Sequence, residues 1–391
     1  MRTAFTLALR NLLGAGLRTW LSVLVLSFSF VIIIWLKGIM TGWDHQAKKD
    51  MTEWQIGGGQ YWQAAYDPYD PLSLGDSHAP IPDEFAGEVQ QGDMVPQLLA
   101  QGSLYPEGRL QQVIIRGIAP NQSLFQLPTS CLDSGAQAIP AMIGYLMAHN
   151  MGLEKGDIVT LRWRDKRGTF DATDLEICEI FTSTVPAIDQ GQVYLSLERL
   201  REMMSLPGEA TILSFRDPDR ERAAVEGWVL KTKSVLTKQV DDVIKAKSTG
   251  QSIIYLILLL LAMLAIFDTQ VLSIFRRQKE IGTYIALGYT RQEVVGLFTV
   301  EGSMHAVLAA LLATVYGLPF LAWQARAGWT MPVDVSEFGM SIAQTLYPIY
   351  TIGLILSTVM LVFITTIIVS YLPARKIAKM NPTEALRGKL Q

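Results

Sequence analysis

The chain has 391 residues, half of them hydrophobic, and a formal net charge of −3 at pH 7. These values would suit many soluble proteins, but the apolar residues are segregated into long runs, which an ordinary soluble fold does not show. The central segment 41–250 holds 19 basic and 29 acidic residues, and this net charge of −10 argues against nucleic-acid binding.

Four apolar runs dominate the sequence. A helix needs about 20 apolar residues to cross a bilayer core, and lipid offers no hydrogen-bond partners to an unfolded backbone. Each run therefore predicts a transmembrane helix: Trp20–Leu36, Ile253–Phe275, Val300–Ala322 and Tyr347–Leu372.

The charges that flank these runs predict the orientation. The N-terminal flank, the 276–293 loop and the C-terminal tail together hold 12 Lys or Arg and 3 Glu. Basic residues near the ends of membrane helices favour the cytoplasm. We therefore predict an α-helical membrane protein with four transmembrane helices and a large α+β periplasmic domain between the first and second helices.

The predicted segments follow one another along the chain. They are a cytoplasmic amphipathic surface helix (1–19), transmembrane helix 1 (20–40), the periplasmic domain (41–250), transmembrane helix 2 (251–275), a cytoplasmic helix (276–293), transmembrane helix 3 (294–322), a short periplasmic loop (323–346), transmembrane helix 4 (347–372) and a cytoplasmic tail (373–391).

The first of these segments places apolar and basic residues on opposite helical faces. The apolar face carries Phe5, Leu9, Leu12 and Leu13. Such a helix lies on the inner leaflet with its arginines near anionic headgroups. The alternative is a basic flank that only sets topology.

Because 37–40 lacks a small-x-small cleavage site, an uncleaved signal anchor is the better interpretation of the first span.

The large polar domain shows mixed patterning. Residues 57–82 are rich in Gly, Asp, Pro and aromatic residues and indicate an extended loop. The β-rich segments predicted as strands are Val113–Ile118, Asp157–Trp163, Leu175–Phe181 and Gln192–Leu197. Helical spacing is found at Pro140–Met151, Leu197–Met204 and 219–249. Cys131 and Cys178 lie in this domain; a disulfide is possible in an oxidising compartment, but sequence favours unpaired core residues.

The 267–293 segment carries a recognisable motif: an Arg-rich turn, Glu-Ile-Gly and Ala-Leu-Gly, formed by Arg276, Arg277, Glu280, Ile281, Gly282, Ala286, Leu287 and Gly288. It closely resembles the FtsX-like, MacB-type ABC transporter permease family. The segments Leu7–Leu12, Leu372–Ala378 and Asn381–Arg387 resemble the family's opening and closing motifs. Leu146–Leu161 and Ile188–Leu195 make the lipoprotein-releasing (LolC/LolE-like) branch the most similar.

The resemblance implies a coupling helix at 276–293 that docks in a groove of a separate cytoplasmic ATPase dimer. The coupling residues it implies are Arg276, Arg277, Lys279, Glu280, Ile281, Gly282, Ile285, Ala286, Leu287, Gly288 and Arg291. Ile281, Ile285 and Leu287 would supply an apolar ridge, and the small residues would permit close approach. The alternative is a basic loop without a partner.

No phosphate-binding loop of the form Gly-x-x-x-x-Gly-Lys-Ser/Thr occurs in the chain. ATP and magnesium are therefore expected in the partner, and this subunit is expected to have no cofactor, metal site or catalytic residue. Further expected partners are a second copy or a related permease, membrane lipid, and a periplasmic adaptor or lipoprotein carrier.

Three ionisable residues fall inside the predicted spans: Asp268, Glu301 and His305. Intramembrane charge is costly and suggests function. Structural anchoring is favoured over a proton relay, which would need more such groups across the bilayer. These three residues also give only weak support for a lipid-modifying enzyme.

Aromatic and apolar residues near the outer helix ends form a candidate cargo rim, namely Trp35, Ile39, Trp43 and Tyr255. An ordinary interfacial belt is the favoured alternative. Because nearly apolar helices cannot line a wide aqueous channel, we expect a permease of the bacterial inner membrane that extracts or exports a lipoprotein or another hydrophobic cargo. The alternatives are a non-transporting transducer, for example of cell-wall hydrolysis, and an efflux subunit for drugs or peptides.

Overall fold

The computed structural model describes residues 16–133, 138–330 and 345–376, which fall into two compact units. The membrane unit contains Met1–Trp43, Ile244–Trp329 and Leu346–Gln391, and the β-rich unit contains Asp44–Val243 and Thr330–Thr345. The predicted surface helix at 1–19 lies almost wholly outside the described residues. So do the tail beyond residue 376 and the loop at 331–344.

The helices are α1 (Gly16–Met51), α2 (Ala86–Gln91), α3 (Tyr145–Met151), α4 (Pro186–Asp189), α5 (Leu197–Met204), α6 (Lys233–Leu236), α7 (Lys238–Arg276), α8 (Gln278–Ala286), α9 (Arg291–Ala327) and α10 (Ile352–Ala374). The strands are β1 (Gly59–Gln63), β2 (Ala79–Pro80), β3 (Met94–Tyr105), β4 (Gln111–Ile118), β5 (Ile139–Gly144), β6 (Ile158–Arg164), β7 (Phe170–Phe181), β8 (Gln192–Ser196), β9 (Glu209–Ala210), β10 (Ile212–Phe215), β11 (Trp228–Thr232), β12 (Trp329–Thr330) and β13 (Thr345–Leu346).

The helices α1, α7, α9 and α10 are long and apolar enough to cross a membrane. Even the shortest, with 23 residues, extends for about 35 Å at 1.5 Å per residue. Their shared core is formed by Val23, Leu26, Phe30, Leu259, Ala262, Ile266, Ala306, Ala309, Val362 and Val369. Four helices long and apolar enough to span a membrane, with a β-rich domain between the first and second, are therefore confirmed.

Small residues let these helices pack closely, as is common between helices in membranes. A Cβ atom added to Gly302 on α9 would lie 2.4 Å from the Ser370 hydroxyl oxygen on α10 and 3.0 Å from the Gln270 side chain on α7. A Cβ at Gly38 on α1 would clash with the Tyr350 ring. Glycine is therefore required at both positions for the observed helix contacts.

The β-rich unit is built on a nine-stranded sheet with the order β11-β1-β10-β3-β4-β8-β5-β7-β6. Strand β3 also pairs with β6, through Gly102–Tyr105. Six strands, β3, β4, β8, β5, β7 and β6, therefore close into a ring around buried side chains such as Leu104, Ile115, Leu161 and Leu195. Closure leaves these strands without a free edge.

Four strands and the Leu197–Met204 helix predicted from sequence are confirmed, whereas three other predictions were wrong in part. Pro140–Met151 is a strand followed by a helix, and 219–249 contains β11 before α7 begins at Lys238. The loop predicted at 57–82 contains β1, which pairs with β10 and β11. In each case pairing with distant strands determines the local structure.

A disulfide joins Cys131, in a 3₁₀ turn at Thr129–Asp133, to Cys178 on β7, with Cα atoms 5.9 Å apart. Sequence favoured unpaired cysteines, because the distance between two positions 47 residues apart cannot be read from local patterns. Both side chains pack against a buried cluster that includes Phe181 and Tyr194.

Replacing both cysteines with serine is expected to destabilise the β-rich unit by about 4 kcal/mol, the loop-closure value for a separation of this size. Thermal unfolding of the intact protein, followed with and without reductant, measures the effect. Reductant should lower the unfolding temperature of the native chain and leave that of the Cys131→Ser/Cys178→Ser chain unchanged. An equal effect of reductant on both chains would contradict this expectation.

Candidate functional site

Helix α8 is a short helix between two predicted spans, and its ends are fixed by local chemistry. It follows Arg277, whose backbone (φ −103°, ψ 21°) interrupts the helical path after α7. It is followed by Gly288 with φ +99°, a conformation that L side chains rarely adopt. Thr290 and Glu293 then form a capping box that starts α9. The Gly of the Ala-Leu-Gly motif is therefore a turn residue.

One face of α8 is packed against the membrane unit. Ile281 is fully buried in a cluster with Ile274, Val294, Val295, Phe298 and Ala374, and Gly282 is also buried. Tyr284 and Ile285 pack partly against the same cluster. The apolar ridge predicted from Ile281, Ile285 and Leu287 is therefore not one exposed surface. These tertiary contacts hold Ile281 inward, where it anchors α8.

The exposed end of α8 is formed by Ala286, Leu287, Gly288 and Tyr289, which we call the α8 tip. Leu287 is 72% exposed and Tyr289 is 53% exposed. The tip is held by backbone bonds, since the Gly288 and Tyr289 amides donate to the Ile285 and Tyr284 carbonyls at 3.1 Å each. A fixed turn thus presents a large apolar side chain to its surroundings, an arrangement suited to contact with another protein.

Arg277 fastens α8 to α9. One terminal nitrogen, Nη1, donates to both carboxylate oxygens of Glu301 at 2.8 Å, and Nε donates to Glu280 at 2.6 Å. The guanidinium also lies 5.0 Å from the centre of the Phe298 ring. Burial alone would lower the pKa of Arg277, but the charges of Glu301 and Glu280 outweigh it and raise the pKa above its ordinary value.

The three intramembrane ionisable residues have different surroundings. Glu301 is buried and paired with Arg277. His305 is buried one turn further along α9, and its Nδ1 lies 3.1 Å from the Gly302 carbonyl oxygen. Asp268 is exposed on α7, and no described residue pairs with it. The structure therefore does not bring the three into a chain of groups suited to proton transfer.

The remaining predicted coupling residues lie at the surface of this region. Arg276 ends α7 and is exposed, and Lys279, Glu280 and Arg291 are exposed on α8 and at the start of α9. Among the described residues, nothing pairs with Arg276, although it is the chain neighbour of the half-buried Arg277. Of these residues, Glu280 accepts a hydrogen bond from Arg277 Nε at 2.6 Å.

The predicted cargo rim is not assembled as a single surface. Trp35 packs against the rings of Phe320 and Trp329, with centroids 6.2 and 6.5 Å apart. Ile39 is buried. Two cations lie over the other two rings: Lys247 over Trp43 at 4.1 Å and Lys37 over Tyr255 at 5.9 Å.

Sequence reasoning did not identify Phe298, Tyr289 or the Thr290–Glu293 cap as parts of this site. The cap had a readable signal, a Thr followed three residues later by Glu at the start of an apolar helix. Phe298 had none, because its role depends on the contact with Arg277, 21 positions earlier in the chain.

Comparison with known proteins identifies this region. Residues 252–382, which include α8, α9 and α10, match the family model described as FtsX-like permease C-terminal. Over these residues the chain is similar to the FtsX-like permeases. The α8 tip and the Arg277–Glu301 pair both lie within the matched residues.

Individual curated proteins match longer parts of the chain than the family model does. The chain is 24% identical over 273 residues to an uncharacterised ABC transporter permease of Methanocaldococcus jannaschii, covering 63% of this chain and 62% of the relative. It is 26% identical over 230 residues to the macrolide export ATP-binding/permease protein MacB of Vibrio parahaemolyticus, covering 58% and 32% of the two. The lipoprotein-releasing system transmembrane protein LolC of Xylella fastidiosa is 22% identical over 316 residues, covering 71% and 74%.

Proposed function

We propose that this chain is the membrane subunit of an ABC transporter, which couples ATP hydrolysis by a separate ATPase to movement of the β-rich unit and so releases a lipoprotein or similar hydrophobic cargo. The proposal rests on the exposed α8 tip, because the helix that carries it is held against α9. Leu287 is available to a partner, while Ile281 and Arg277 fasten the helix to α9. Force applied at the tip would therefore move a membrane helix.

The proposed orientation places α8 in the cytoplasm and the β-rich unit outside the inner membrane. The distribution of basic residues supports it. The Cys131–Cys178 disulfide in the β-rich unit supports it independently, because disulfides persist in oxidising compartments and are rare in the cytosol.

A hydrophobic cargo is supported by the character of the helices. The lipid-exposed and core residues of α1, α7, α9 and α10 are predominantly apolar, so a polar solute would find few partners on a path between them. A cargo with acyl chains can instead remain in the bilayer until it is released. LolC is matched over 74% of its length and the MacB of Vibrio parahaemolyticus over 32%, which favours lipoprotein over macrolide.

The proposal is tested by ATP-dependent release of a radiolabelled lipoprotein from proteoliposomes that contain this chain and its ATPase. Leu287→Asp is expected to reduce release and ATPase co-purification at least tenfold, because it places a charge in the apolar contact. Leu72→Asp is the matched control, since Leu72 is 83% exposed in the β-rich unit, and it should behave as the native chain.

Two outcomes would contradict parts of this proposal. Equal ATPase binding by the Leu287→Asp chain and the native chain would exclude the α8 tip as the docking surface. ATPase activity that depends on the tip but releases no cargo would favour the transducer alternative, in which movement of the β-rich unit controls another process such as cell-wall hydrolysis.

A further inference from the structure

A groove of about 480 Å³ lies between the first three turns of α9 and the end of α10. This volume falls within the roughly 300–1,000 Å³ of small-ligand sites. The groove is open partly because residue 296 is glycine: a Cβ atom added there would meet no atom within 4 Å. Both helices belong to the membrane unit.

Three side chains at one end of the groove offer hydrogen-bond donors. These are the Gln292 amide, the Tyr371 hydroxyl and the Arg375 guanidinium. Within the described ranges, none of the three has a hydrogen-bond partner or an ion-pair partner. Among the residues that the structure describes, no acidic side chain lines the groove, and the nearby Glu293 accepts bonds from the amide and hydroxyl of Thr290. The polar end is therefore built for a ligand with acceptor oxygens and negative charge.

The groove becomes apolar along its length. Gln292 lies at the start of α9, and Val300 follows eight residues later, about 12 Å further along the helix axis. Val295, Gly296 and Val300 supply the apolar part, and the Thr299 hydroxyl is already bonded to the Val295 carbonyl oxygen at 2.8 Å. A ligand that fills the groove thus needs a polar head at one end and a hydrocarbon chain at the other.

We infer that the groove binds one glycerophospholipid with an anionic headgroup, whose phosphate is held by Arg375, Tyr371 and Gln292 and whose acyl chain lies over Gly296. Unpaired positive charge beside an apolar slot complements this lipid. The assignment of this lipid to the inner leaflet rests on the proposed orientation, whereas the binding itself does not. In this inference Arg375 binds the lipid phosphate, a role separate from coupling to the ATPase.

The test is native mass spectrometry of the full chain in detergent, titrated with palmitoyl-oleoyl phosphatidylglycerol or with the corresponding phosphatidylcholine. The native chain is expected to bind phosphatidylglycerol about fivefold more tightly, the effect of one basic residue on an anionic headgroup. Arg375→Gln should abolish this preference and leave weak binding of both lipids. Gly296→Phe, which fills the groove, should abolish binding of both.

Two matched controls separate the site from general effects. Gly353→Phe places the same ring on an open helical glycine of α10, and Lys376→Gln removes the exposed cation next to Arg375. Both should bind as the native chain does. The inference is overturned if Gly296→Phe keeps the lipid preference, or if a control loses it equally.

Two further results would also overturn it. If Gly296→Phe and Arg375→Gln weaken ATPase co-purification and leave the lipid preference unchanged, the groove is a contact for the ATPase instead. If a synthetic peptide of residues 1–15 displaces phosphatidylglycerol from the groove, the occupant is the chain's own N-terminal segment. Because the assay uses detergent-solubilised protein, its result is independent of transmembrane orientation and of transport.

Discussion

Arg277→Gln is expected to lower the free energy of unfolding of the membrane unit by about 3 kcal/mol and to abolish ATP-driven cargo release. The substitution leaves Glu301 buried without its partner, and an uncompensated buried charge is strongly destabilising. The side chains of Arg277 and Glu301 are only 18% and 10% exposed, so solvent would offset little of this cost. Thermal unfolding in detergent and the release assay together measure the effect.

A double-mutant cycle distinguishes the ion pair from general damage. Glu301→Gln alone should also destabilise the protein, but Arg277→Gln/Glu301→Gln should be less destabilised than the sum of the two single changes, because it leaves no lone buried charge. Arg276→Gln is the matched control for stability: it removes an adjacent exposed arginine and should leave the free energy of unfolding unchanged. Additive effects in the cycle would contradict the assigned role of the pair.

Asp268→Leu is expected to weaken assembly with a second permease subunit. Asp268 lies on the exposed face of α7 beside Leu261 and Leu264, which are 57% and 65% exposed. A carboxylate that faces lipid near the middle of a span costs about 3 kcal/mol, and intramembrane charges are generally buried against a partner. We propose that the second subunit covers this face and hydrogen-bonds Asp268.

Cysteine cross-linking in membranes measures this assembly. A cysteine at position 268 should cross-link to the second subunit, whereas Leu311→Cys, at a position of α9 that is 61% exposed, should not. Asp268→Leu should lower the dimeric fraction in native mass spectrometry. If the substitution instead raises the unfolding temperature without any loss of dimer, Asp268 faces lipid in the assembled protein and the proposed interface is wrong.

The features that depend on local patterns were predictable from the sequence. Long apolar runs specify the spanning helices, and the Gly288 and Thr290 signals mark the turn between α8 and α9. Strand β3 was missed because it is buried on both sides over Met94–Ala100, so it lacks the alternation of polar and apolar residues that identifies a half-buried strand. Pro96 and Gly102 weaken the strand signal further, because both residue types are unfavourable inside strands.

The direction in which the coupling residues face could not be predicted. Ile281 and Leu287 are both apolar and six positions apart, and only the tertiary contact with Phe298 and Ala374 decides that Ile281 is the buried one. Likewise, the sequence placed Arg276, Arg277 and Lys279 together among the coupling residues and did not indicate which of them pairs with Glu301. The non-helical backbone at Arg277 rotates that residue alone towards the carboxylate.

The positive φ of Gly288 has a consequence for partner choice. The course of the turn is set by main-chain bonds and by one residue without a side chain, so the neighbouring exposed positions 286, 287 and 289 can be exchanged without reshaping it. Under the proposed function, the choice of one ATPase rather than another would then depend on the side chains at these three positions. Replacing residues 286, 287 and 289 with those of a paralogous subunit should change which ATPase the chain recruits.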